Sequence, residues 1–207
     1  LRFYTNITHE LRTPLTLILG PLEDMQKDTS LPTRQAQKLS VIHQSALRLL
    51  NLINQILEFR KTETQNKKLC VCKSNIAPLV HEIGLKYKEL NQKKAIDFQI
   101  QIEKEEMLLF FDKEIITIIL DNLISNAIKY TEQGKITLSL YPTTRNGVTY
   151  TEIKVSDTGY GISAEALPHV FDRYYQESGK HQASGTGIGL ALVKNLVTLH
   201  EGEIRAE

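Results

Sequence analysis

The sequence predicts an α plus α/β protein in two parts. An antiparallel helical hairpin over residues 1–65 pairs with a second copy into a dimeric four-helix bundle, and an α/β sandwich follows over residues 66–207. Apolar residues recur at steps of three and four in the first part, whereas short strand-like runs alternate with helical stretches in the second. With 207 residues, 41% of them apolar and 24% charged, the chain is long enough for one large core or two modest ones, and too apolar for disorder.

The first helix follows from Phe3, Ile7, Leu11, Ile18, Leu22 and Met25, which keep to one seam. Asp28-Thr29-Ser30-Leu31-Pro32 then interrupts the pattern as a turn. Beyond Pro32, Leu39, Ile42, Ala46, Leu49, Ile53 and Ile56 form the a/d series of a coiled coil or bundle. A single hairpin leaves much of this seam in water, and pairing two copies removes the exposure, which predicts a homodimer through residues 1–65. The polar stretch 61–68 reads as a linker and hinge.

In the second part, strands are expected at 69–72, 95–102, 107–111, 135–141 and 148–155, with helices near 77–91, 113–130 and 187–200. Hairpin-connected strands with helices gathered between them point to an α+β sandwich rather than a doubly wound parallel sheet.

Composition narrows the function classes. Lysine plus arginine (25) nearly cancel aspartate plus glutamate (24), so no whole-chain field draws the protein to nucleic acid or to an anionic membrane. Cys70 and Cys72 would share one face of a strand, and a zinc site would need further ligands, so both read as reduced structural thiols. No apolar run reaches the roughly 18–20 residues of a membrane span and no signal peptide is visible, so the polypeptide reads as soluble, with any membrane attachment through regions it lacks. It begins at Leu1, without a methionine and already in helical pattern, as a piece of something longer would.

The segment Phe3-Tyr4-Thr5-Asn6-Ile7-Thr8-His9-Glu10-Leu11-Arg12-Thr13-Pro14 carries the first chemical signal. His9 stands about 200° around the helix from both Ile7 and Leu11, so it faces water if they face the core. Thr13 shares its face and Glu10 is its neighbour. Pro14 removes a backbone donor inside the helix at a cost of about 3 kcal/mol, and a kink or loosened turn there would let His9 swing toward a nucleotide. Taken alone, an exposed histidine is an ordinary surface residue. The whole string His-Glu-Leu-Arg-Thr-Pro-Leu, however, resembles the phosphoacceptor box of the histidine kinases, and Thr16-Leu17-Ile18-Leu19-Gly20-Pro21-Leu22 resembles the hybrid two-component sensors in particular. The resemblance implies that His9 is phosphorylated, that Glu10 is the general base, and that Thr13 supports dephosphorylation of the partner.

No G-x-x-x-x-G-K-[ST] string is present, so phosphate would need another cradle than a P-loop. Asp121-Asn122-Leu123-Ile124-Ser125-Asn126-Ala127-Ile128-Lys129-Tyr130-Thr131 reads as a helix with Leu123, Ala127 and Tyr130 on one stripe and Asn122, Asn126 and Lys129 on another. An asparagine oxygen suits Mg²⁺ and a lysine neutralises phosphate, although a solvated polar face fits the same pattern. Val155-Ser156-Asp157-Thr158-Gly159-Tyr160-Gly161-Ile162 ends a strand with an acid and two glycines. There a buried carboxylate could accept an adenine amino hydrogen, or the stretch is a plain turn. Gly185-Thr186-Gly187-Ile188-Gly189-Leu190 opens the last helix, whose free N–H groups can hold phosphate. Residues 172–184 read as a mobile lid pinned by Phe171 and Tyr174.

In order and spacing these stretches resemble the N, G1, F and G2 boxes of the ATPase fold shared by histidine kinases, gyrase, Hsp90 and MutL. The resemblance implies ATP and Mg²⁺ as cofactors, with Asn126 the metal ligand, Asn122 assisting, Lys129 on phosphate, Tyr130 near the base and Asp157 reading adenine. Gly159, Gly161 and Ile162 would shape the base pocket, and Gly185, Thr186, Gly187, Gly189 and Leu190 the phosphate end. It further implies a response-regulator receiver domain, separate or in the same polypeptide, as partner, and a place on the cytoplasmic side of a membrane-anchored sensor. The family follows Gly202-Glu203-Ile204-Arg205, read as a strand, with one more strand, and here the sequence stops at Glu207. His43, His81, His169, His181 and His200 show no metal spacing and read as structural, with His181, in the lid stretch, the candidate exception. Rival readings are a clamp ATPase of the gyrase or Hsp90 kind, a dimeric scaffold that binds nucleotide without phosphohistidine, and an enzyme dominated by phosphatase activity through Thr13.

Overall fold

The computed structural model describes residues 2–27, 31–63, 68–91, 95–177 and 186–207, with the side chains of residues 2–10 and Glu63 outside that description. Its contacts fall into two compact units, Leu1–Asn66 and Lys67–Glu207.

The first unit is a pair of helices, α1 (Arg2–Gln26) and α2 (Thr33–Glu63). Carbonyl capture at Pro32 by the N–H groups of Gln35 and Ala36 starts α2. Leu15 and Leu19 close on Ala46 and Ile53, with Leu22 and Leu50 packed beside them. The heptad of α2 therefore divides: Leu39, Ala46 and Ile53 are buried, whereas Ile42, Leu49 and Ile56 stay 52%, 50% and 42% exposed. The seam expected on α1 is corrected likewise, since Leu11, Ile18 and Met25 are exposed and Leu15 and Leu19 point inward. The reason is that α1 carries two apolar stripes, and only one can face α2.

Helix α1 runs unbroken through Pro14 and Pro21, neither of which can donate a backbone hydrogen bond within it. Arg12 ties the helices by donating to Asn54 Oδ1 at 2.6 Å. The expected linker starts late, because α2 continues to Glu63 and residues 64–67 lie outside the described ones.

The second unit holds β1 (Cys72–Asn75), α3 (Ile76–Leu90), β2 (Ile96–Ile102), β3 (Leu108–Phe111), α4 (Lys113–Tyr130), β4 (Gly134–Arg145), β5 (Val148–Asp157) and α5 (Gly189–Leu199). A short antiparallel pair, β1–β3, accompanies a three-stranded sheet in the order β2-β4-β5. Strand β4 alternates Ile136, Leu138 and Leu140, all at 0% exposure, with Lys135, Thr137 and Ser139. That period of two lays one face of the sheet against Val80 of α3 and Leu120, Ile124 and Ala127 of α4.

Three expectations change here. Strands β2 and β4 pair in parallel, through a crossover that contains β3 and α4, so among the described residues only β4–β5 is a hairpin; its turn sets Asn146 and Gly147 at φ 50° and 77°. The first strand begins at Cys72 rather than residue 69, because the Cys70 N–H is already taken by the Asp112 carboxylate at 2.8 Å. Residues 203–207 lie outside any ladder; they meet β5 through side chains, with Arg205 3.5 Å from Glu152 and Lys154 3.7 Å from Glu207.

Candidate nucleotide site and phosphoacceptor helix

Helix α4 is the spine of the site. Asp112 caps it, accepting the Ile115 N–H at 3.1 Å, and such a cap contributes about 1 kcal/mol. The helix ends at Thr131, whose N–H bonds the Ala127 carbonyl. Asn122 departs from the expected shared polar face: it is 7% exposed, donates through Nδ2 to the Ile118 carbonyl at 2.8 Å, and aims Oδ1 at Gly189. A Cβ on Gly189 would stand 3.0 Å from that oxygen. One turn further, Asn126 is half-buried. Lys129 donates to Tyr130 Oη at 3.0 Å and lies 4.5 Å from its ring centroid, a cation–π contact.

The turn after β5 locks onto the end of α4. Tyr160 donates its N–H to the Tyr130 carbonyl at 3.3 Å, and a Cβ on Gly159 would come within 2.4 Å of that same oxygen. Only glycine allows this approach. Asp157 is exposed rather than buried, because its Oδ1 caps the turn by accepting the Gly159 N–H at 2.9 Å. Gly161 takes φ 72° with open space around it, and Ile162 is exposed. The Tyr160 phenol is held above its ordinary pKa by a hydrogen bond to the Glu132 carboxylate.

At the expected phosphate end, α5 starts at Gly189 with Ile188 as N-cap and no side-chain cap. Its first N–H groups are thus left to solvent or an anion. Gly187, at φ 67°, packs on the backbone of Tyr174, where a Cβ would meet the chain at 2.6 Å. Its carbonyl accepts the Tyr174 N–H at 2.9 Å. Tyr174 is 64% exposed, so this residue is held here through its backbone, whereas Phe171 is half-buried. Thr186 Oγ1 lies 3.4 Å from the Ile188 N–H, and Leu190 is half-buried. Gly185, His181 and the 178–184 part of the expected lid lie outside the described residues.

Sequence reading missed two contributors. Thr158 accepts the Lys135 N–H at 2.9 Å, against Gly134, whose φ of 118° leaves no room for a side chain. Asp112 stands just before an apolar helical run and was legible as a cap. On the hairpin, His9 and Glu10 lie within α1 but their side chains are outside the description; Thr13 is exposed.

A helical hairpin bearing an acceptor-type histidine, ahead of an α/β unit with a glycine-lined site, defines a phosphotransfer class. The family model for the His Kinase A (phospho-acceptor) domain matches residues 1–65, and that for the histidine kinase-, DNA gyrase B- and HSP90-like ATPase matches residues 111–207. Histidine kinase P4 of Formosa agariphila is 37% identical over 99% of this chain and 15% of its own length. Hybrid signal transduction histidine kinase D of Dictyostelium discoideum is 34% identical over 98% of this chain and 13% of its own. Sensor histidine kinase YcbM of Bacillus subtilis is 33% identical over 100% and 66% respectively. Among solved structures, full-length ShkA in complex with AMPPNP matches with a TM-score of 0.74 and 25% identity, over 95% of this chain and 40% of that one. The chain belongs to the sensor histidine kinases of two-component systems, and it spans a minor part of the first two relatives.

Proposed function

We propose that the chain binds ATP with Mg²⁺ on its second unit and transfers the γ-phosphoryl group to His9, working as a homodimer. The phosphoryl group then passes to an aspartate of a response-regulator receiver domain, and Thr13 supports its later hydrolysis. The observation that carries this reading is the junction of α4 with its two glycine turns: Asn122 Oδ1 against Gly189 at one end, the Tyr130 carbonyl against Gly159 and Tyr160 at the other.

The residues present suit the nucleotide. The uncapped start of α5 offers N–H donors and a positive dipole end to phosphates. The exposed Asp157 carboxylate could accept from an exocyclic amine. Among the described residues no group of three or more His, Cys, Asp or Glu side chains gathers around a metal, so Asn126 would share the ion with phosphate oxygens and water, as Mg²⁺ prefers. Bound there, the ion would neutralise charge on the transferring phosphoryl group. The chain does the rest: Glu10 accepts the Nδ1 proton of His9, Nε2 attacks the γ-phosphorus, and the bond to the bridging oxygen breaks to release ADP.

The exposed stripe of Leu11, Ile18, Met25, Ile42, Leu49 and Ile56 supports the dimer. No helix among the described residues is long and apolar enough to cross a membrane; a cytoplasmic setting on a membrane-anchored sensor is part of the proposal and rests on the family. Incubation with Mg²⁺ and γ-labelled ATP tests the core of it: the label should be acid-labile, base-stable and absent from His9→Gln. Stable nucleotide binding without label would favour the scaffold reading.

A further inference from the structure

Two residues 88 positions apart join the helices of the nucleotide site at the end remote from it. Asp112, 5% exposed, spends its carboxylate on two backbone donors, Ile115 N–H at 3.1 Å and Cys70 N–H at 2.8 Å. Its own N–H donates to His200 Nε2 at 2.9 Å. His200 ends α5, its N–H bonded to the carbonyls of Leu196 and Val197 at 3.1 Å each. Helices α4 and α5 thus meet at two places: the Asp112–His200 hydrogen bond at the far end of α5, and the close approach of Asn122 Oδ1, midway along α4, to Gly189 at the start of α5. A helix pair held at one point can slide or pivot, and held at both ends it keeps its register.

We propose that His200 is a positioning residue for phosphoryl transfer: by accepting the Asp112 N–H it fixes α5 along α4, and so sets the N-terminal N–H groups of α5 against Asn122 and Asn126. The inference rests on the nucleotide-site reading above. Its chemistry is specific, because Nε2 accepts only when the ring is neutral with its proton on Nδ1, and an imidazolium has no lone pair to offer. The charged and titratable neighbours at the clasp are the Asp112 carboxylate with both oxygens engaged, Lys113 beside it on α4, the Cys70 thiol on the incoming segment, and exposed Glu201 after His200.

The test is calorimetric binding of the β,γ-imido analogue of ATP with Mg²⁺ to the full chain. Compared are the unaltered chain, His200→Ala, His200→Gln and Asn126→Ala. A glutamine oxygen can accept the same N–H as the ring nitrogen does. His200→Ala should bind about fivefold to tenfold more weakly, the worth of one buried hydrogen bond, and His200→Gln should stay close to the unaltered chain. Full affinity in His200→Ala, or a loss in His200→Gln as large as that in His200→Ala, overturns the proposal. If His200→Ala fails to fold by circular dichroism, the Gln comparison alone decides: affinity close to that of the unaltered chain supports the proposal, and a loss of about fivefold or more overturns it. If the unaltered chain does not bind, or Asn126→Ala binds as well as it does, the nucleotide-site reading itself fails and the clasp falls with it.

Discussion

The two units treat their apolar residues differently. In the second, Ile115, Leu120, Ile124, Ile136, Leu138 and Leu140 all reach 0% exposure. In the first, an inner row from Leu15 to Ile53 is buried while a second row of equal hydrophobicity stands half exposed. A closed core marks an element complete as a folding unit, and an open stripe of this kind marks a surface awaiting a partner. The ATPase unit is therefore expected to be stable by itself, the hairpin only with a second copy.

The sharpest way to probe the closed core is Leu138→Ala. Removing a fully buried side chain from the middle of β4 should lower unfolding stability by about 2–5 kcal/mol, read from urea denaturation of the second unit's transition. Leu49→Glu should do little to the hairpin's internal packing but place a carboxylate on the open stripe. We expect dimer dissociation to rise about a hundredfold by sedimentation, with loss of hairpin structure following it, and a dimer as tight as before would break the comparison. Within the hairpin, Asn54→Ala leaves the Arg12 guanidinium without its 2.6 Å partner and should cost about 1–2 kcal/mol.

The smallest effect lies on the outer face of the sheet. Glu152 is held below the usual carboxylate range, first by the Tyr141 hydroxyl and then by Arg205 and Arg145. Its stabilisation is present above the ordinary carboxylate pKa and is lost as pH falls through the lowered value. The Tm advantage of the unaltered chain over Glu152→Gln should accordingly shrink in acid, below about pH 4, and a constant gap would remove the ion pairs as its cause.

Sequence periodicity made much of this legible. The alternation in β4 and the a/d series of α2 each follow from one local rule. Which apolar row faces the partner helix did not, because Ile42 and Ala46 are equally at home in a heptad and only tertiary packing distinguishes them. The parallel pairing of β2 with β4 was missed for the same reason: crossover connections leave no local mark. In the site, residue type named Asn122 and Asp157 but not their surroundings. An amide fits a wet face or a dry one, and the turn that draws Asp157 outward depends on the close approach of Gly159 to Tyr130. The Asp112–His200 contact, 88 residues apart, lies beyond any window of local pattern.

On the reading proposed above, one chain carries a nucleotide site on its second unit and the acceptor of its phosphoryl group on the first. Parallel measurement of nucleotide binding and of acid-labile label, on His9→Gln and Asn126→Ala, tests it most directly. His9→Gln should bind nucleotide normally and take no label, and Asn126→Ala should lose both. Label that persists on His9→Gln, or on a chain that no longer binds nucleotide, would contradict it.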